Sequence, residues 1–147
     1  MSIGVPTIIV LEDNDEDFVS LELACQELDR PVHLKRYQRA EPLIEQIENE
    51  SLETPALALI DLRMPGAGGM AALKSFKNNP RLRVTPCIVL STSTNPKEVT
   101  NCYKQGATAF HEKLIETPRM IERLKTILRY WLDEANLSQT RRSESHA

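Results

Sequence analysis

The chain is predicted to fold as an α/β domain, a three-layer sandwich with a five-stranded parallel sheet between two layers of helix. Two observations lead there. Five short apolar runs alternate with five segments whose apolar residues recur at helical spacing. The central run, Ala56-Leu57-Ala58-Leu59-Ile60, has no polar member before Asp61, as expected of a strand covered on both faces. The 147 residues suffice for one core and are too few for two comfortable ones.

The first strand is Thr7-Ile8-Ile9-Val10-Leu11, which ends at the acidic cluster Glu12-Asp13-Asn14-Asp15-Glu16-Asp17. Phe18, Leu21, Cys25 and Leu28 then mark a helix closed by Arg30-Pro31, and its acidic start suits the positive end of the helix dipole. Val32 to Arg36 reads as a second strand of weak alternation, at or near a sheet edge. Pro42, Leu43, Ile44 and Ile47 suggest a short helix before a polar loop at Asn49 to Thr54. The third strand ends in Asp61, after which Pro65 and Gly66 turn the backbone out of the sheet. Met70, Leu73 and Phe76 give a helix that stops at Asn78-Asn79-Pro80.

Pro86-Cys87-Ile88-Val89-Leu90 is the fourth strand and runs into Ser91-Thr92-Ser93-Thr94. Asn95, Pro96 and Glu98 occupy the N-cap, N1 and N3 positions of a helix carrying Val99, Cys102 and Tyr103, with Gly106 as its stop. Ala107 to His111 is a brief fifth strand ending near Lys113. Thr117-Pro118 opens the last helix, whose apolar residues run from Met120 to Leu132. They span about 140° of the wheel, wider than packing on one sheet requires. The leading reading is a helix well buried within the chain; the alternative is that part of that arc covers a partner, with Trp131 as a candidate anchor.

Parallel strands joined by helices require right-handed crossovers, and the expected solution is the flavodoxin-like order 2-1-3-4-5. Its switch point falls between strands one and three, which end in Glu12-Asp13 and Asp61. Three carboxylates held close there would repel by about 4 kcal/mol per pair at 4 Å. A divalent cation relieves that, and an all-oxygen site with spare water positions suits Mg²⁺. Such a site can neutralise charge as a phosphoryl group moves to a carboxylate oxygen. Lys113 could add a point charge and Ser91 a hydroxyl proton. Taken singly these residues read as a solvated helix start, a surface lysine and a turn. Together, at the ends of strands one, three, four and five, they read as one crevice.

Composition narrows the alternatives. A net charge of −3 argues against general nucleic-acid binding, and no apolar stretch approaches the roughly 20 residues that span a membrane. The start of the chain lacks the pattern of a signal peptide, so the expected compartment is the cytoplasm. Cys25, Cys87 and Cys102 have no metal spacing and read as reduced thiols in apolar surroundings.

The set resembles the receiver domain of two-component response regulators over about residues 5 to 135, with residues 1–137 as the domain and 138–147 as a polar, disordered tail. The acidic pair matches Glu12-Asp13, and the phosphoacceptor matches Asp61 in Asp61-Leu62-Arg63-Met64-Pro65-Gly66. The switch hydroxyl matches Ser91, followed by Thr92 at a small-residue position. The lysine matches Lys113, and the aromatic switch position is Phe110. The resemblance implies Mg²⁺-dependent transfer from a phosphohistidine on a sensor kinase to Asp61, with Mn²⁺ able to substitute. Asp13, Asp61 and the Arg63 carbonyl would hold the metal, with Glu12 close by.

Leu90-Ser91-Thr92-Ser93-Thr94-Asn95 and Tyr130-Trp131-Leu132 are similar to the small, single-domain regulators that serve bacterial phytochromes. That narrower likeness implies a red-light sensor kinase and a homodimer, through helix four, strand five and helix five or through the last helix. Leu114 stands where the family usually has proline after the lysine. A cis bond to leucine would cost roughly 3 kcal/mol, so the expectation is a trans bond with a shifted loop or a strained site. Two rivals remain: a receiver fold that binds partners without taking phosphate, and a haloacid-dehalogenase-like phosphatase. The latter wants a second aspartate two residues after the first, where this chain has Arg63. No phosphate-binding G-x-x-x-x-G-K-[ST] loop is present.

Overall fold

The computed structural model describes residues 4–66 and 68–135. Its strands are β1 (Thr7–Leu11), β2 (His33–Tyr37), β3 (Leu57–Asp61), β4 (Cys87–Ser91) and β5 (Ala109–Glu112). They alternate with α1 (Asp15–Gln26), α2 (Ala40–Glu48), α3 (Gly68–Asn78), α4 (Pro96–Lys104) and α5 (Thr117–Arg129). A π-type turn, Tyr130–Glu134, extends α5. The sheet is parallel throughout, in the order β2-β1-β3-β4-β5. This is the flavodoxin-like order expected at the switch point.

The strands without polar interruption are the central ones. Every residue of β3 and β4 is buried, whereas the edge strands β2 and β5 are partly exposed. Alternation along β1 divides the core. Ile9 and Leu11 face one side with Leu43, Leu73 and Phe76, while Ile8 and Val10 face the other with Leu21, Leu124 and Leu128. Correspondingly α2 packs on α3, and α1 packs on α5. Phe76 is fully buried, and its truncation to alanine would cost about 3–5 kcal/mol in lost transfer and cavity energy.

Several details differ from expectation. Helix α1 ends at Gln26, so Leu28 packs from the following turn rather than from the helix. β2 runs from His33 to Tyr37, and its Tyr37 is buried although the strand lies at the edge. β5 begins at Ala109, because Gly106 (φ 112°) and Ala107 complete the α4 stop, with the Ala107 N–H donating to the Cys102 carbonyl at 2.9 Å. The wide apolar arc of the last helix is largely used within the chain. Met120, Leu124, Ile127, Leu128 and Leu132 are buried, and Ile121 and Trp131 are half-buried against the same cluster. Tyr130, rather than Trp131, is the exposed aromatic. The tail at 138–147 lies outside the described residues. No helix of the described residues is long and apolar enough to cross a membrane.

Candidate functional site at the carboxyl ends of the strands

The crevice forms where β1 and β3 part. The N-cap of α1 is Asn14, whose side chain accepts the Asp17 N–H at 2.8 Å, and this turn presents Glu12 and Asp13 at the end of β1. Arg36 from β2 fixes the backbone there. Its Nε donates to the Glu12 carbonyl at 2.9 Å, Nη2 donates to Asp15 at 2.8 Å, and its guanidinium lies over the Phe18 ring. Asp61, at the end of β3, is held by the amide of Arg63, which donates to Oδ1 at 3.0 Å.

The turn after Asp61 depends on glycine. An added Cβ at Gly69 would lie 2.2 Å from the Asp61 carbonyl oxygen, so the start of α3 packs directly on that backbone. At Gly66 a φ of 73° favours glycine, whereas the nearby Glu41 carboxylate is the end of a flexible side chain that can move aside.

Lys113 organises the charges. Its Nζ donates to Glu12 Oε1 at 2.8 Å, to Asp17 Oδ2 at 2.8 Å and to Asp61 Oδ2 at 3.1 Å. Glu12 and Asp61 are 5% and 6% exposed, so these are not solvated surface pairs. Burial pushes the Glu12 carboxyl up to about 7 against the opposing pull of Lys113, and the Asp61 charge adds to the rise. Burial works against the Lys113 charge, but its hydrogen bonds to Asp17 and Glu12 outweigh that and hold the ammonium above its ordinary range. Carboxylate oxygens of Glu12, Asp13 and Asp61 all lie within 4.8 Å of one another, with Asp13 the exposed member. An all-oxygen set with an open side fits a hard divalent cation.

The expected residues are thus brought to one rim, with two adjustments. Glu12, expected only close by, is the buried partner of Lys113. Ser91 is fully buried at the end of β4, and its carbonyl accepts the Lys113 N–H at 2.8 Å, but its hydroxyl is engaged by the Ser93 N–H at 3.1 Å. Phe110 is half-buried against the α2–α3 side of the core, and its N–H donates to the Tyr103 hydroxyl at 3.1 Å. The Lys113–Leu114 bond is trans, with no cis bond among the described residues, and the loop still delivers Lys113 to Asp61. The Leu114 N–H, which a proline would lack, donates to Met120 Sδ at 3.2 Å. Cys25, Cys87 and Cys102 are free thiols, and burial pushes them up, to about 11 for Cys25 and about 12 for Cys87.

Asp17, Arg36 and Gly69 were not singled out from the sequence. Asp17 lies in the acidic first turn that suits the positive end of the helix dipole, and Gly69 belongs to a Gly68-Gly69 pair at a helix start; both were available signals.

Comparison with known proteins agrees with this fold. The chain is 30% identical over 95 residues to response regulator Rcp1 of Synechocystis sp., an alignment covering 65% of each protein. The Mn(2+)-bound form of Rcp1 superposes with a TM-score of 0.84 at 23% identity, over 90% of this chain and 99% of that one. The phosphorylated cyanobacterial phytochrome response regulator RcpA also gives 0.84, at 24% identity over 91% and 99%. Response regulator RPA3017, in red light signaling of R. palustris, gives 0.80 at 25% identity over 92% and 100%. The model of the response regulator receiver domain matches residues 8–125, and the chain belongs to that family.

Proposed function

We propose that the chain is a response regulator whose Asp61 accepts a phosphoryl group from a phosphohistidine on a sensor histidine kinase, in a Mg²⁺-dependent reaction. The observation that carries this reading is the buried Asp61 carboxylate, held by Lys113 at 3.1 Å and by the Arg63 amide at 3.0 Å beside two further acids. An Asp61 oxygen attacks phosphorus, the bond from phosphorus to the histidine nitrogen breaks, and the imidazole leaves with that electron pair. The product is an acyl phosphate.

Asp13, Asp61 and the Arg63 carbonyl would hold the metal, with Glu12 adjoining. When bound, Mg²⁺, or Mn²⁺ in its place, neutralises charge on the phosphoryl oxygens. Lys113 stabilises the same oxygens from the β5 side, and for that its ammonium shifts from Asp61 Oδ2 towards the new group. Ser91 turns its hydroxyl from the Ser93 amide to a phosphoryl oxygen, and Phe110 repacks inward behind it. The acyl phosphate carries about −1.5 to −2 charges where the Asp61 carboxylate carried −1, a net gain of about −0.5 to −1 at the crevice, and the face made by α4, β5 and α5 responds. Output passes through protein contacts, including a homodimer through that face or through the last helix near Trp131, or onward in a phosphorelay. The protein acts in the cytoplasm.

The similarity to RcpA and RPA3017 supports a phytochrome as the kinase partner. The test is phosphotransfer from an autophosphorylated bacterial phytochrome kinase, run beside an unrelated histidine kinase. Rapid label transfer from the phytochrome to wild type and none to Asp61→Asn is expected. Equal, slow transfer from both kinases would remove the phytochrome assignment, and transfer to Asp61→Asn would remove Asp61.

A further inference from the structure

The two ends of Arg63 make different contacts. Its amide donates to Asp61 Oδ1 at 3.0 Å, while its guanidinium reaches away from the rim and donates through Nη2 to both Glu98 oxygens, at 2.9 and 3.2 Å. Glu98 lies in the first turn of α4. It is the only acidic residue between Leu62 and His111, a stretch whose seven arginines and lysines include Arg63 itself.

The same turn of α4 is tied to the rim by a second route. Ser91 Oγ accepts the Ser93 N–H at 3.1 Å, Ser93 Oγ accepts the Asn95 N–H at 3.2 Å, and Asn95 Oδ1 accepts the Lys97 N–H at 2.9 Å. This run of side-chain caps leads from buried Ser91 to the start of α4 and sets where Glu98 stands.

We propose that Arg63 is a further phosphoryl-binding residue of the Asp61 site, held away by Glu98 until the phosphoryl group arrives. The proposal rests on the reading of Asp61 as phosphoacceptor. A guanidinium fork fits two phosphoryl oxygens as well as it fits a carboxylate. The side chains of Arg63 and Glu98 are 59% and 29% exposed, so solvent screens their pairing and leaves it weak. The acyl phosphate carries about −1.5 to −2 charges in place of the −1 of the Asp61 carboxylate, against the single charge of Glu98. Arg63 therefore turns to Asp61 on phosphorylation, and the first turn of α4 loses its tie to the β3–α3 loop. Arg63 thereby links phosphoryl binding to the position of α4.

The test follows adduct formation from acetyl phosphate with Mg²⁺, and adduct loss after donor removal, by intact mass. The proteins are wild type, Glu98→Gln, Arg63→Ala, Arg63→Lys and the double variant Arg63→Ala/Glu98→Gln. Both side chains lie at the surface, so the variants are expected to fold. Removing the competitor in Glu98→Gln should speed formation or prolong the adduct by about 1.4- to 5-fold, the range an exposed ion pair spans. Arg63→Ala should slow formation about 10-fold, as expected for a charge-assisted hydrogen bond in partial solvent. The double variant should match Arg63→Ala, and Arg63→Lys, which keeps the charge without the fork, should recover part of the rate. Equal rates in wild type, Glu98→Gln and Arg63→Ala would overturn the proposal, as would additive effects in the double variant. Absence of any adduct in wild type would instead overturn the reading of Asp61.

Discussion

Replacing Lys113 with methionine removes the cation that lies among Glu12, Asp17 and Asp61 while keeping most of the apolar stem. Its Nζ sits 2.8 Å from Glu12 and 3.1 Å from Asp61, two carboxylates whose side chains are each 7% exposed. At about 3 Å and an effective dielectric near 20, each contact corresponds to roughly 5 kcal/mol of Coulomb energy. Much of that is returned. Glu12, already pushed up to about 7, takes a proton, and Asp17, at 46% side-chain exposure, falls back on water. A net loss of about 3 kcal/mol remains, at the lower end of the range for a broken buried pair.

The sign of the pH dependence follows from the same residues. The Glu12 value of about 7 lies above its ordinary 4.5, so the folded state holds that proton more tightly than the unfolded chain does. Its contribution to stability is fully present below about pH 4.5 and is lost as pH rises through about 7, a change of about 3 kcal/mol. Lys113, raised above its ordinary 10.5, contributes stability that persists up to that pH and is lost only above it. Urea unfolding of wild type and Lys113→Met, without divalent ions, should therefore show a gap of about 3 kcal/mol at about pH 8 and a smaller one at about pH 6, where Glu12 can protonate. Excess Mg²⁺ should narrow the gap, because a divalent cation substitutes for the ammonium among the carboxylates. A gap below about 1 kcal/mol, or one identical at both pH values, would refute the electrostatic reasoning.

Three further outcomes are expected. Divalent-ion affinity, measured by titration calorimetry, should rise with pH through about 7, because below that value the ion must displace the Glu12 proton; a flat profile would separate Glu12 from the metal site. Gly69→Ala places a Cβ 2.2 Å from the Asp61 carbonyl oxygen, so the start of α3 must move. A loss of about 2 kcal/mol by urea unfolding, with slower phosphorylation, should follow, and wild-type stability would show that the helix start yields freely. Leu114→Pro removes the N–H that donates to Met120 Sδ; because sulfur is a weak acceptor, unfolding should shift by about 1 kcal/mol or less, and a loss several times larger would mean that this bond holds the loop.

The parts of the fold legible in the sequence are those set by local pattern. The uninterrupted apolar runs at β3 and β4 become the two fully buried strands, and the alternating apolar segments give the sheet order that puts Glu12, Asp13 and Asp61 together. What pattern does not carry is partnership across distance. Nothing near Glu12 distinguishes it from the exposed acids that follow; its burial depends on Lys113, 101 residues away. Asp17 and Arg36 gain their roles in the same way, Asp17 through Lys113 beyond β5 and Arg36 by reaching from β2 to the Glu12 carbonyl at the end of β1. The weak alternation of β2 hid the fact that Tyr37 turns into the core. Leu114 suggested a displaced lysine because proline is usual there, yet a trans bond and the Met120 contact set the loop where Lys113 still reaches Asp61.

The central claim is that Asp61 is a metal-dependent phosphoacceptor, and intact-mass spectrometry tests it most directly. Wild type and Asp61→Asn are incubated with acetyl phosphate in Mg²⁺ and, separately, in EDTA. The account predicts a single phosphoryl adduct in wild type with Mg²⁺, labile to hydroxylamine as an acyl phosphate must be, and none in the other three samples. An adduct on Asp61→Asn, or an unmodified wild type that also fails to bind beryllofluoride, would contradict it.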